Sequence, residues 1–203
     1  MYARVGAITA AEGTKNPLVS DADGSLIVSG GGGDYRNQTL RGNEYFAYCE
    51  DQNVALFDAT AAVGLIVHNP ALSGYNLVWH LWSAQVHTIS AALTGMVLAV
   101  GTQLTVPGGL TAATLTGRTL LTASTGLTVG VARAYSVATI LAPVAVWPLF
   151  VNAATIDTEG SELMAGDLKG AFASAPGTAT VIGAIGAAGV SVSLGISWEE
   201  VPI

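Results

Sequence analysis

Between Asp58 and Asp157 the only Lys, Arg, Asp or Glu residues are Arg118 and Arg133. This scarcity of charge constrains the fold more than any other property of the chain. Charged side chains normally supply much of a monomer's solvated face. Here that face must come from Thr, Ser, Gly and Ala, or the segment must be covered by further copies of the chain. Obligate homo-oligomer interfaces resemble a domain core cut in half, so the segment predicts self-association, with a trimer as the first expectation. Charged residues are 10% of the whole chain, against a usual share of about a quarter.

The stretch from Gly64 to Ser90 organises the expected architecture. It predicts a short strand over Gly64–Val67, a turn at Asn69-Pro70 and Ser73-Gly74, and then a long strand. Side chains alternate across a strand. Leu77, Trp79 and Leu81 are therefore expected on one side, and Val78, His80, Trp82, Ala84 and Val86 on the other. With two apolar faces, this strand belongs in the middle of a sandwich or between subunits.

Residues 1–37 are expected to form an extended N-terminal arm and residues 38–203 a single β-sandwich domain. In the arm, Pro17, the Asp23-Gly24 turn and the run Gly30–Gly33 leave room for one short strand over Ser25–Ser29. The glycines make a hinge, and such an arm can add a strand to a neighbour's sheet. Gln38–Phe57 predicts two strands about a turn at Glu50–Asn53. Met96–Val100 follows as a strand, and the Thr- and Gly-rich residues 103–129 are expected to form a surface insertion with one or two short strands. Further strands are expected at Leu127–Tyr135, Val144–Val151, Ser161–Asp167 and Thr178–Gly183. The closing run GVSVSLGISWEEVPI alternates at Val190, Val192, Leu194, Ile196 and Trp198. Many short strands between Gly- and Pro-rich turns describe an all-β, antiparallel sandwich, a jelly roll before an immunoglobulin-like topology.

Composition also excludes functions. A net charge of -7 and scattered basic residues argue against nucleic-acid binding. Mean hydropathy is positive, +0.53, yet no run of about 18 apolar residues occurs; Thr139–Val151 is too short and holds Pro143 and Pro148. No membrane partner is expected. The opening residues do not read as a secretory signal, and a lone Cys49 fits synthesis in a reducing cytosol.

No catalytic constellation emerges, and no enzyme, metal or cofactor is expected. His68, His80 and His87 lack ligand spacing, so they read as core or interface histidines with hydrogen-bonded rings. Asp21-x-Asp23-Gly24 lacks the later ligands of a calcium loop. Acids flank Cys49, and nothing lowers its pKa. Glu199-Glu200 and the acids of 157–162 read as solvated faces. Trp79, Trp82, Trp147 and Trp198 are expected as buried anchors; exposed in a cleft, they would suit sugar rings.

The segment DADGSLIV, the strand-turn-strand GLIVHNPALSGYNLVW, the Thr/Ala/Gly-rich middle and the terminal SWEEVPI resemble, in layout, small jelly-roll cement or decoration proteins of tailed-bacteriophage heads. The resemblance implies a structural virion protein, a homotrimer on the outer surface of the head, synthesised in the host cytoplasm and clamping neighbouring major capsid subunits. It implies subunit packing through Tyr75, Trp79 and Trp82, and capsid contact through Pro17, Leu18, Leu26 and Ile27. The different-class alternative is a receptor- or carbohydrate-binding jelly-roll head of a tail fibre or spike, with aromatics exposed in a groove.

Overall fold

The computed structural model describes residues 19–20, 26–27, 43–89, 93–111, 118–119, 130–141, 143–156, 163–185 and 190–203. The chain divides into two units, Met1–Arg36 and Asn37–Ile203. In the first, β1 (Val19–Ser20) pairs antiparallel with β2 (Leu26–Ile27). Pro17 and Leu18 lie outside the described residues, as does most of the segment expected to be an arm.

The second unit is two antiparallel sheets packed face to face. Its strands are β3 (Glu44–Val54), β4 (Ala61–Asn69), β5 (Tyr75–Ile89), β6 (Leu93–Thr102), β7 (Gly108–Thr111), β8 (Arg118–Thr119), β9 (Arg133–Thr139), β10 (Val144–Ile156), β11 (Leu163–Ser174), β12 (Thr178–Ile185) and β13 (Val190–Pro202). One sheet has the order β11-β5-β13-β3-β8 and the other β10-β6-β12-β4-β9-β7. No helix among the described residues is long and apolar enough to cross a membrane. The expected all-β antiparallel sandwich is the fold.

The core lies between the sheets. Val192, Leu194, Ile196 and Trp198 on β13 enter it, together with Leu77, Trp79 and Trp82 on β5. Leu65, Met96, Leu98 and Ile182 come from the facing sheet. Burying each large aliphatic side chain stabilises the fold by roughly 1.5–3 kcal/mol. The strict alternation of β13 is what lets every second residue reach this layer. A second cluster, Ile66, Val97, Ala99 and Val181 among others, lies against Phe57, Tyr135 and Ile185. The strands buried on both faces are thus β4, β6 and β12 inside the six-stranded sheet and β13 in the other, and not β5.

On β5 the expected alternation breaks. Ile196 pairs with Trp82 and Trp198 with Trp79, so His80 and Leu81 together oppose Ser197. Such a bulge shifts the phase of every residue after it. Trp79 and Trp82 consequently both point inward, while Leu81 is exposed. A second bulge corrects the expected turn at Glu50–Asn53. Cys49 pairs with Leu194 and Gln52 with Val192, and one continuous strand runs through the segment.

Other boundaries shift as well. The strand expected at Leu127–Tyr135 is β9, which starts at Arg133, and that expected at Ser161–Asp167 is β11, which continues to Ser174. Within residues 103–129 the short strands β7 and β8 join opposite sheets; residues 112–117 and 120–129, like the acids at 157–162, lie outside the described residues.

Candidate functional site

The histidines are held singly, each by its own partner. Glu44, at the start of β3, meets His80 in the centre of the five-stranded sheet, Oε2 to Nδ1 2.9 Å and Oε1 to Nδ1 3.0 Å. Both side chains are buried. His68 Nε2 lies 3.1 Å from the Gln103 carbonyl oxygen, and His87 Nε2 lies 2.6 Å from Ser193 Oγ. Burial holds the His68 imidazole below its ordinary value, partly offset by the Gln103 carbonyl. Among the described residues no group of three or more His, Cys, Asp or Glu side chains converges as metal ligands.

Glu200 corrects an expectation. It is buried rather than solvated, and its carboxylate accepts the Val131 and Ala132 N–H groups, each at 3.0 Å. The Arg133 guanidinium donates to the carbonyl oxygens of Gly130, Val131 and Ala132. A charge from the terminal strand and one from the charge-poor segment are thus both used to pin the loop before β9.

Cys49 is buried, and burial pushes its thiol up to about 11. The reactive species is the thiolate, so at pH 8 folded protein is expected to stay unmodified by an aromatic disulfide reagent over minutes. The same reagent should react fully in denaturant; rapid reaction without denaturant would contradict this burial.

Trp79 and Trp82, expected at a subunit interface, are occupied within the chain's own core. Trp79 Nε1 donates to Ser174 Oγ at 2.7 Å, and Ser174 Oγ lies 2.7 Å from Thr180 Oγ1, which ties the two sheets together. Tyr75 is half-buried at the start of β5. Leu26 and Ile27 belong to β2, in the other unit.

A continuous run of exposed apolar side chains lies elsewhere. β10 is the edge of the six-stranded sheet. Residues 144–148 along it, Val-Ala-Val-Trp-Pro, are all exposed. Val144 is 67% exposed, Val146 44% and Trp147 40%. Leu141, just before the strand, is exposed too, as are Leu104 and Val106 on the loop after β6, where Leu104 lies against Gly177. Gln103 joins these pieces, accepting the Leu141 N–H through Oε1 at 3.2 Å and donating to the Thr105 carbonyl at 2.9 Å. A side chain on Gly101 would collide with the Leu141 carbonyl, which fixes how closely this loop lies on β6. None of residues 103–106 or 141–148 is Asp, Glu, Lys or Arg. Pro148 and the register shifts beside it interrupt the strand's edge, and such features resist addition of another strand. Contact there would run through side chains rather than a continued sheet. Sequence reasoning located β10 but not its exposure, because an apolar strand reads the same at an edge as in a core.

The outer face of the five-stranded sheet carries a second feature, a groove of about 500 Å³ lined by Phe46, Leu81, Ser83, Ala165, Asp167 and Gly195 and by parts of Trp82 and Gly166. The Phe46 and Tyr48 rings lie on this face with centroids 6.4 Å apart and planes 14° from parallel.

Compared with known proteins, the chain matches no protein-family model, no curated protein and no solved structure.

Proposed function

We propose that this chain is a structural virion protein: a homotrimeric cement protein on the outside of a phage capsid that stabilises contacts between major capsid subunits. The observation that carries the reading is the run of uncharged, exposed apolar side chains on Leu141 and residues 144–148 of β10. Large exposed apolar patches mark interaction sites, and the chain's net charge of -7 makes a neutral surface the least repulsive place for copies to meet.

The finer fold assignment is a jelly roll. Its support is the strand order. With β7, β8 and β9 set aside as an insertion, the eight remaining strands in chain order pair first with eighth, eighth with third and third with sixth in one sheet. In the other they pair second with seventh, seventh with fourth and fourth with fifth. That nesting is the pattern of a double Greek key, an architecture used by viral capsid proteins and lectins. Pro17, Leu18, Leu26 and Ile27 are proposed to meet the major capsid protein, with repeated weak contacts giving avidity across the lattice.

Sedimentation tests the assembly. The wild-type chain is expected at about three times its 20.5 kDa mass, and the double variant Val144→Asp/Val146→Asp as a folded single chain. Both substituted positions are exposed, so the far-UV spectrum should be unchanged. The wild-type protein is also expected to bind expanded heads of the phage that encodes it, at three-fold positions. A wild-type chain that stays monomeric at micromolar concentration removes the trimer, and absence from those heads removes the cement role.

A further inference from the structure

The groove on the five-stranded sheet lies apart from the assembly surface proposed above, which is on the other sheet. We infer that it is a binding site for a neutral saccharide. Its floor is a row of small residues crossing the strands: Gly195 pairs with Ser83, and Ser83 with Ala165. Tyr48 is in register with Gly195 at one end of that row. The missing side chain of Gly195 is what allows the Phe46 ring to lie close to the floor, since a Cβ there would come within 3.2 Å of it.

Along one side stand Phe46, 38% exposed, and Leu81, 45% exposed. Asp167, in register with Leu81, closes the end away from Phe46. Its Oδ1 accepts the Lys169 N–H at 2.7 Å, which fixes the carboxylate's direction.

The chemistry of this lining selects the occupant. The Phe46 ring, close over Gly195 and stacked beside Tyr48, offers an apolar surface to the C–H face of a sugar. The Ser83 hydroxyl and the Asp167 carboxylate offer hydrogen-bonding groups to ring hydroxyls, and a bond to a charged acceptor is among the stronger kinds. A carboxylate at the rim of a chain of net charge -7 disfavours sialylated, sulfated or phosphorylated ligands. The groups sit on paired strands and not on loops, so little ordering opposes binding.

The test is an array of neutral, sialylated and sulfated oligosaccharides, followed by NMR titration of the full chain with the best neutral member. Shifts are expected at the amides of Ser83, Ala165 and Gly195. Phe46→Ala should weaken binding at least about tenfold, the equivalent of one lost aromatic contact. Asp167→Asn should weaken it about tenfold, and Ala165→Phe, which fills the groove from an exposed position, should abolish it. Far-UV spectra confirm that each variant folds. The inference is overturned if no neutral saccharide binds at millimolar concentration, if only acidic ones bind, or if Phe46→Ala and Ala165→Phe bind as the wild type does. Groove amide shifts that follow protein dilution without sugar would assign the face to a second copy instead, and would also overturn it.

Discussion

Replacing Trp198 with alanine is expected to destabilise the sandwich by about 3–5 kcal/mol, the usual cost of emptying a large aromatic site in a core. Trp198 is fully buried on β13, between the Trp79 ring at 5.7 Å and the Tyr45 ring at 6.2 Å. These three rings form one end of the layer between the sheets, and β13 is the strand on which both of its neighbours depend. Total stability of a domain this size is on the order of 5–15 kcal/mol, so the alanine variant should unfold at a much lower urea concentration by far-UV circular dichroism.

The conservative pair of variants sharpens the prediction. Trp198 Nε1 is buried with no hydrogen-bond partner among the described residues, whereas Trp79 Nε1 donates to Ser174. Trp79→Phe removes that bond and leaves the buried Ser174 oxygen without the indole donor, although its contact with Thr180 remains. Trp198→Phe removes only an unpartnered polar group along with some area. Trp79→Phe should therefore be the more damaging by about 1 kcal/mol; the reverse order would mean that the Ser174 bond contributes nothing.

Substitution of His80 by leucine carries the second large effect. The Glu44 carboxyl group, 1% exposed, would remain inside the protein without the imidazole that both its oxygens contact. Breaking one side of a buried pair costs about 3–5 kcal/mol. Replacing both residues, Glu44→Leu with His80→Leu, should recover most of that loss, because two apolar groups of similar size need no partner. A double variant as unstable as His80→Leu would show that the pair is not the unit that matters.

The fold was legible where its periodicity ran unbroken. Val192, Leu194, Ile196 and Trp198 sit on one side of β13 because nothing interrupts their alternation. The bulge at His80-Leu81 could not be read, since one extra residue opposite Ser197 leaves no compositional trace. That single insertion turned Trp79 and Trp82, expected on opposite sides, toward the same core. Glu44 and His80 are far apart in sequence, and only the placement of β13 between β3 and β5 brings their strands within reach. The charge-poor segment signalled uncovered apolar surface, but not that β10 would carry five exposed residues in a row. Gly195 and Ser83 looked like ordinary strand residues; the groove exists because the register sets them side by side.

The position of β13 bears on how the protein comes into being. Translation reaches it after every strand it joins, yet it occupies the gap between β5 and β3. Until it emerges from the ribosome β5 can pair only with β11 and β3 only with β8, and the aromatic layer lacks one wall. Long-range pairings of this kind fold late and slowly. Nascent chains must therefore keep their apolar segments from one another until β13 threads into place.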